Sequence, residues 1–142
     1  MKAMAVRGQS GFTLIEILVV VALIGLLAAF VVPNVMGQSE KARVDLATSE
    51  MKVIATQLEL YRLHNGRYPT TQQGLRALVE KPEGARNWTA PYLNSMPRDP
   101  WGNDYYYASP GVSAGFDLIS LGADGTEGGS GFDADINFRN PG

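Results

Sequence analysis

The sequence predicts an α+β protein, in which a long N-terminal hydrophobic helix packs by its C-terminal half against a small antiparallel β-sheet head. Three observations predict it. From Phe12 to Val32 only Thr13 and Glu16 are clearly polar, and Ile17 to Val32 carries no polar side chain. From Glu40 to Leu63 apolar residues recur at helical spacing. Most of the 16 glycines and 8 prolines lie beyond residue 65, which marks a turn-rich, strand-containing second half.

At 142 residues the chain suits one domain with a modest core. A formal charge of −2 leaves no basic footprint, so nucleic acid is not an expected partner. There is no cysteine, so a small exported head must draw its stability from packing, assembly or a bound ion.

The first helix is read as a membrane anchor. Rising about 1.5 Å per residue, the apolar run matches a hydrocarbon core about 30 Å thick. Lys2 and Arg7 precede it, which places the N-terminus in the cytoplasm and everything after Val32 outside. A secretory signal carries its small-residue cleavage site after the apolar stretch. Here a polar leader, Met1 to Gly11, ends in Gly11 just before the run. Cutting between Gly11 and Phe12 keeps the helix on the mature chain and frees an α-amino group at its tip.

Glu16 needs a reason to be there, because a carboxylate within a span costs a few kcal/mol. It lies four residues past Phe12, about 6 Å along the axis. The amine of an axially shifted neighbour, with a pKa near 8, is a better partner than its own. Snorkelling at the lipid interface is the other reading, and the residues alone leave both open.

Pro33 predicts a bend, since proline removes a helical hydrogen bond. Beyond it Ala47, Met51, Ile54, Leu58 and Tyr61 form one apolar stripe, expected to pack on the sheet. Asn65-Gly66 ends the helix, and Tyr68-Pro69 forces an extended turn. Thr70 to Gln73 fits a capping box opening a short helix to about Val79. His64, the sole histidine, has no partners for metal or catalytic work.

In the head, Tyr105 and Tyr107 alternate as one strand face, and Phe116, Leu118 and Ser120 share the phase of a second strand. Trp88 and Trp101 are packing anchors. The stretch after Leu121 is glycine-rich and holds Asp124, Asp133 and Asp135. These are hard oxygen donors of the kind calcium takes six to eight of, at about 2.3–2.6 Å. Composition alone favours a solvated acidic loop over a cation site. No nucleophile with its base, phosphate loop or zinc pattern is present, so no enzyme is expected.

Gly11-Phe12-Thr13-Leu14-Ile15-Glu16 resembles the processing motif of type IV prepilins and pseudopilins. Tyr68 to Leu78, the block Asp99-Pro100-Trp101-Gly102-Asn103, and Ser120 to Ile136 are similar to segments of major pseudopilins of type II secretion, the general secretion pathway protein G family. The resemblance runs from Gly11 to Ile136. It departs at Phe138, where relatives often carry tryptophan, and in a short tail after it.

The resemblance implies a leader over 1–11, an assembly helix over 12–35 and a periplasmic head over 36–142. It implies cleavage after Gly11 by a prepilin peptidase, N-methylation of Phe12, docking through Glu16, and loosening between Gly25 and Pro33. It implies Ca2+ held by Asp124, Asp135 and Asp133 with the carbonyls of Leu121, Thr126 and Ser130. The expected role is a homo-oligomeric helical fibre anchored in the bacterial inner membrane. Its expected partners are minor pseudopilins, an inner-membrane assembly platform and, indirectly, a secretin. A true type IV pilin shares the N-terminus but usually has a cysteine pair, absent here. A signal-anchored periplasmic calcium-binding protein that never polymerises is the remaining alternative.

Overall fold

The computed structural model describes residues 11–112 and 115–138, excluding the side chains of residues 30–36. Its elements are α1 (Leu14–Asn65), a 3-10 helix (Leu75–Leu78), β1 (Tyr106–Ala108), β2 (Asp117–Ser120), a second 3-10 helix (Gly131–Asp133) and β3 (Ile136–Asn137). The chain forms two compact units, Met1–Gln38 and Ser39–Gly142.

In the first unit α1 starts where Thr13 and Glu16 cap each other. The Glu16 N–H donates to Thr13 Oγ1 at 3.3 Å, and the Thr13 N–H donates to Glu16 Oε2 at 3.4 Å. This is the reciprocal T-x-x-E box that satisfies two otherwise orphan donors. Every described side chain from Gly11 to Ala29 is exposed. α1 runs on through Pro33, so the proline does not end the helix.

The second unit holds the core. Ala47, Met51, Ile54, Leu58 and Tyr61 are each 2% exposed or less, so the predicted stripe is buried along its length. Burying one such side chain contributes about 1.5–3 kcal/mol. Met51, Ile54, Leu58 and Tyr61 of the stripe pack into one cluster with Leu75, Leu78, Tyr105, Tyr107, Phe116 and Leu118. α1 ends at Asn65, where the Gly66 N–H closes on the Arg62 carbonyl at 2.7 Å. Gly66 has a φ of 79°, which a side chain would resist.

The sheet is antiparallel in the order β1-β2-β3. Tyr107 faces Leu118, and Ser120 faces Ile136. Alternation works as expected: Phe116, Leu118 and Ser120 are buried while Asp117 and Ile119 are half-exposed. Tyr105 and Tyr107 point inward and Tyr106 outward. Two phenol groups lock sheet to surroundings, with Tyr105 donating to Glu50 Oε2 at 2.8 Å and Tyr107 to the Pro69 carbonyl at 2.8 Å. Phe138 stacks on Phe116 with centroids 6.1 Å apart, which seats β3 on the core where relatives often use tryptophan.

One element differs from expectation. The Thr70–Gln73 box forms, with Thr70 N–H to Gln73 Oε1 at 3.0 Å and Gln73 N–H to Thr70 Oγ1 at 3.2 Å. It closes a turn rather than opening a helix, because Gly74 leaves helical space at φ 57°, ψ −164°. Only Leu75–Leu78 then coil, as a 3-10 helix.

Candidate functional site

Two places carry the chemistry that the sequence singled out. The first is the tip of α1. Gly11, Phe12 and Thr13 precede the helix in irregular backbone, and Phe12 is 80% exposed. The Glu16 carboxylate reaches only as far as the Thr13 amide, through a long bond on an exposed surface. A carboxylate accepts several hydrogen bonds, so capacity for a further donor remains. Among the described residues, no helix is long and apolar enough to cross a membrane. The apolar run, which the sequence carries to Val32, extends into residues 30–36, whose side chains lie outside the described residues.

The second place is the loop 121–136. It closes on itself at both shoulders. The Ala123 N–H donates to the Phe132 carbonyl at 3.0 Å, and the Gly128 N–H donates to Asp135 Oδ2 at 3.0 Å. Gly122 (φ 67°) and Gly129 (φ 84°) both lie against the backbone of Asp133, where a Cβ would collide. Glycine is therefore demanded there by close approach as well as by φ.

The six predicted ligands fall into three groups. Asp124 is bound to Thr126, taking its N–H at 3.1 Å and its hydroxyl at 2.8 Å. Those two bonds, the backbone one first, hold the Asp124 carboxyl below the usual range, so it is ionised at neutral pH. The Asp133 N–H donates to the Ser130 carbonyl at 3.2 Å. Leu121 and Asp135 line one cavity of about 330 Å³ with Asp117 and Glu127. Among the described residues, no three carboxylates or imidazoles converge as a metal cluster. The donors fit a hard cation by type: carboxylates and carbonyls, with no sulfur or imidazole. Glu127, outside the six expected ligands, lines the same cavity.

A third feature was legible only in part. Asp99 is 4% exposed and anchors the Asp-Pro-Trp-Gly turn. Its Oδ1 accepts the N–H of Asn103 at 2.8 Å and of Trp101 at 3.1 Å, and its Oδ2 accepts the Ser120 hydroxyl at 2.8 Å. Trp101 Nε1 donates to Glu40 Oε2 at 2.8 Å, and Trp88 Nε1 to the Ala77 carbonyl at 3.0 Å. Both indoles thus anchor loops.

A lone capped helix with an exposed apolar tip, followed by a small antiparallel head, defines a pilin-like subunit. Comparison with known proteins makes the class specific. The family model described as "Type II secretion system (T2SS), protein G" matches residues 34–139, and the "Prokaryotic N-terminal methylation motif" matches residues 6–32. The type II secretion system core protein G of Pseudomonas aeruginosa is 57% identical over 134 residues, covering 92% of this chain and 94% of that protein. That of Vibrio cholerae is 50% identical over 137 residues, covering 94% of each. The crystal structure of the major pseudopilin from the type 2 secretion system of enterohaemorrhagic Escherichia coli aligns with a TM-score of 0.63 at 43% identity. It covers 75% of this chain and 95% of that one. This chain belongs to the type II secretion system protein G family.

Proposed function

We propose that this chain is the major structural subunit of a periplasmic pseudopilus, which drives export of folded proteins across the outer membrane by type II secretion. One observation carries the reading: a methylation-type N-terminus, Gly11 to Glu16, leads directly into a helix whose described side chains are exposed and almost wholly apolar up to Ala29. Water cannot accommodate that surface, so the helix belongs in lipid or against other copies of itself. The anchor spans the inner membrane once, with the N-terminus cytoplasmic and the head periplasmic. A prepilin peptidase removes residues 1–11 and the new Phe12 amine is methylated. Glu16 then docks a fresh subunit by meeting the amine of a copy already in the fibre. An inner-membrane platform and minor pseudopilins serve assembly, and a secretin receives the cargo. The work is mechanical, with no bond made or broken in a substrate.

The head also binds Ca2+. Asp124, Asp133 and Asp135 supply carboxylates, and the carbonyls of Leu121, Thr126 and Ser130 supply further oxygens. Support comes from the donor type, from the closed loop and from a stretch with little apolar content to order it. If so, adding a chelator to the purified head lowers its melting temperature, and Asp124→Ala lowers it without chelator. Melting that is indifferent to chelator removes the metal.

The function is tested by deletion in a producing cell. Loss of this chain should trap folded exoproteins in the periplasm, and the intact gene should restore their export. Unchanged export in the deletion strain contradicts the reading.

A further inference from the structure

The head holds α1 least firmly where the helix enters it. None of the side chains at positions 39–46 is buried, and the buried stripe begins at Ala47. A helical segment without buried contacts opens locally at little cost. A long-range bond does reach it: Trp101 Nε1 donates to Glu40 Oε2 at 2.8 Å, across 61 positions of sequence.

Trp101 is itself fixed from behind. Its N–H and that of Asn103 donate to Asp99 Oδ1, and Asp99 Oδ2 takes the hydroxyl of Ser120, the last residue of β2. The Asn103 side chain then turns to the loop 121–136. Its Nδ2 donates to the Gly122 carbonyl at 3.2 Å, and a Cβ on Gly125 would stand 3.0 Å from its Oδ1. The turn from Asp99 to Asn103 therefore touches the entering helix with one side chain and the loop with another. Between them lies the buried Asp99 carboxylate, so moving one end alone breaks bonds that are costly to lose.

We infer that this turn couples the order of the loop to the attachment of the helix. A divalent cation in the loop, Ca2+ in the reading above, fixes Gly122 and Gly125; Asn103 and Trp101 then stay in place, and Glu40 stays latched. Asn103 and Trp101 are positioning residues, acting through the Gly122 backbone and the Glu40 carboxylate. The coupling rests on that ion reading and adds to it what the ion does for α1. Residues 39–46, latched or frayed, supply the two states that both ends bias. Coupling is reciprocal, so the latch strengthens ion binding by the factor by which the ion strengthens the latch.

The test is hydrogen exchange and calcium titration of the full-length protein in detergent. In the wild type, Ca2+ should slow exchange of the amides of residues 43–47 by about fivefold or more relative to chelator. Amides at 54–61, in the core, should stay slow in both conditions and gauge the folded head. In Trp101→Phe, which keeps a ring but lacks the donor, the slowing should vanish and Ca2+ binding by calorimetry should weaken by the same factor. Glu40→Ala, at a half-exposed position, should reproduce both effects, and it carries the comparison if Trp101→Phe loses slow exchange at 54–61. Ca2+ that binds and raises the melting temperature without slowing 43–47 overturns the coupling and leaves the ion reading standing. So does Ca2+ that binds both variants as tightly as wild type. Absence of calorimetric binding to the wild type removes the ion reading, and the coupling with it.

Discussion

Burial acts on individual residues here mostly through tyrosines and one aspartate. Burial raises the Tyr107 hydroxyl to about 12, and it raises Tyr105 further, aided by the Glu50 carboxylate that Tyr105 hydrogen-bonds. In the unfolded chain both titrate near 10. Above that pH the unfolded state sheds protons that the folded head retains, so stability is full below pH about 10 and falls as pH rises toward 12. Alkaline melting of the head should show this decline, and Tyr107→Phe should flatten it while losing the bond to Pro69. Asp99 is a separate case. Its removal leaves the Trp101 and Asn103 amides and the Ser120 hydroxyl without their acceptor, each such group costing about 1–3 kcal/mol. Asp99→Ala should therefore destabilise the head by about 3 kcal/mol or more in urea titration. The exposed Asp104→Ala should stay within about 0.5 kcal/mol. The role proposed above for Glu16 is in assembly. Glu16→Leu should still be processed, because the scissile bond lies outside the helix, but should fail to build fibres, as pelleting of sheared filaments would show.

Elements were legible where a period was clean. The stripe from Ala47 to Tyr61 was readable because its spacing matches the helical repeat, and the head buries all five residues. Leu58→Ala should accordingly cost about 2–5 kcal/mol, measured as a lower midpoint in chemical denaturation. Strand phase was equally readable from Phe116, Leu118 and Ser120. The short helix after Pro69 was over-read, since capping chemistry at Thr70 and Gln73 is the same in a turn and Gly74 decides between them. The T-x-x-E box at Thr13 went unread for the opposite reason: Glu16 was weighed as a buried charge, and its reach back to Thr13 was overlooked. In the loop, sequence supplied the donor types but not their grouping. Which carboxylate faces which amide depends on glycine φ values at Gly122 and Gly129 that no period encodes.

At the scale of the molecule, one chain combines two solvent problems. Residues 14–29 present apolar surface on every side, while Ser39 onward folds around its own core. The head is stable by packing; the helix tip acquires a proper environment only in lipid or in a stack of copies. That division suits a chain with no cysteine whose proposed work is done by assembly. It also explains why fold and family were readable from the residues while the grouping of the loop's oxygen donors was not: a helix and a sheet are written in repeats, and the placing of loop side chains in tertiary geometry. The most direct test is mass spectrometry of the N-terminus of the protein extracted from membranes of cells with an intact secretion system. The mature chain should begin at Phe12 and carry one additional methyl group, with the whole apolar helix retained. A chain that still begins at Met1, or one that starts beyond residue 30 with the helix discarded, would contradict the account.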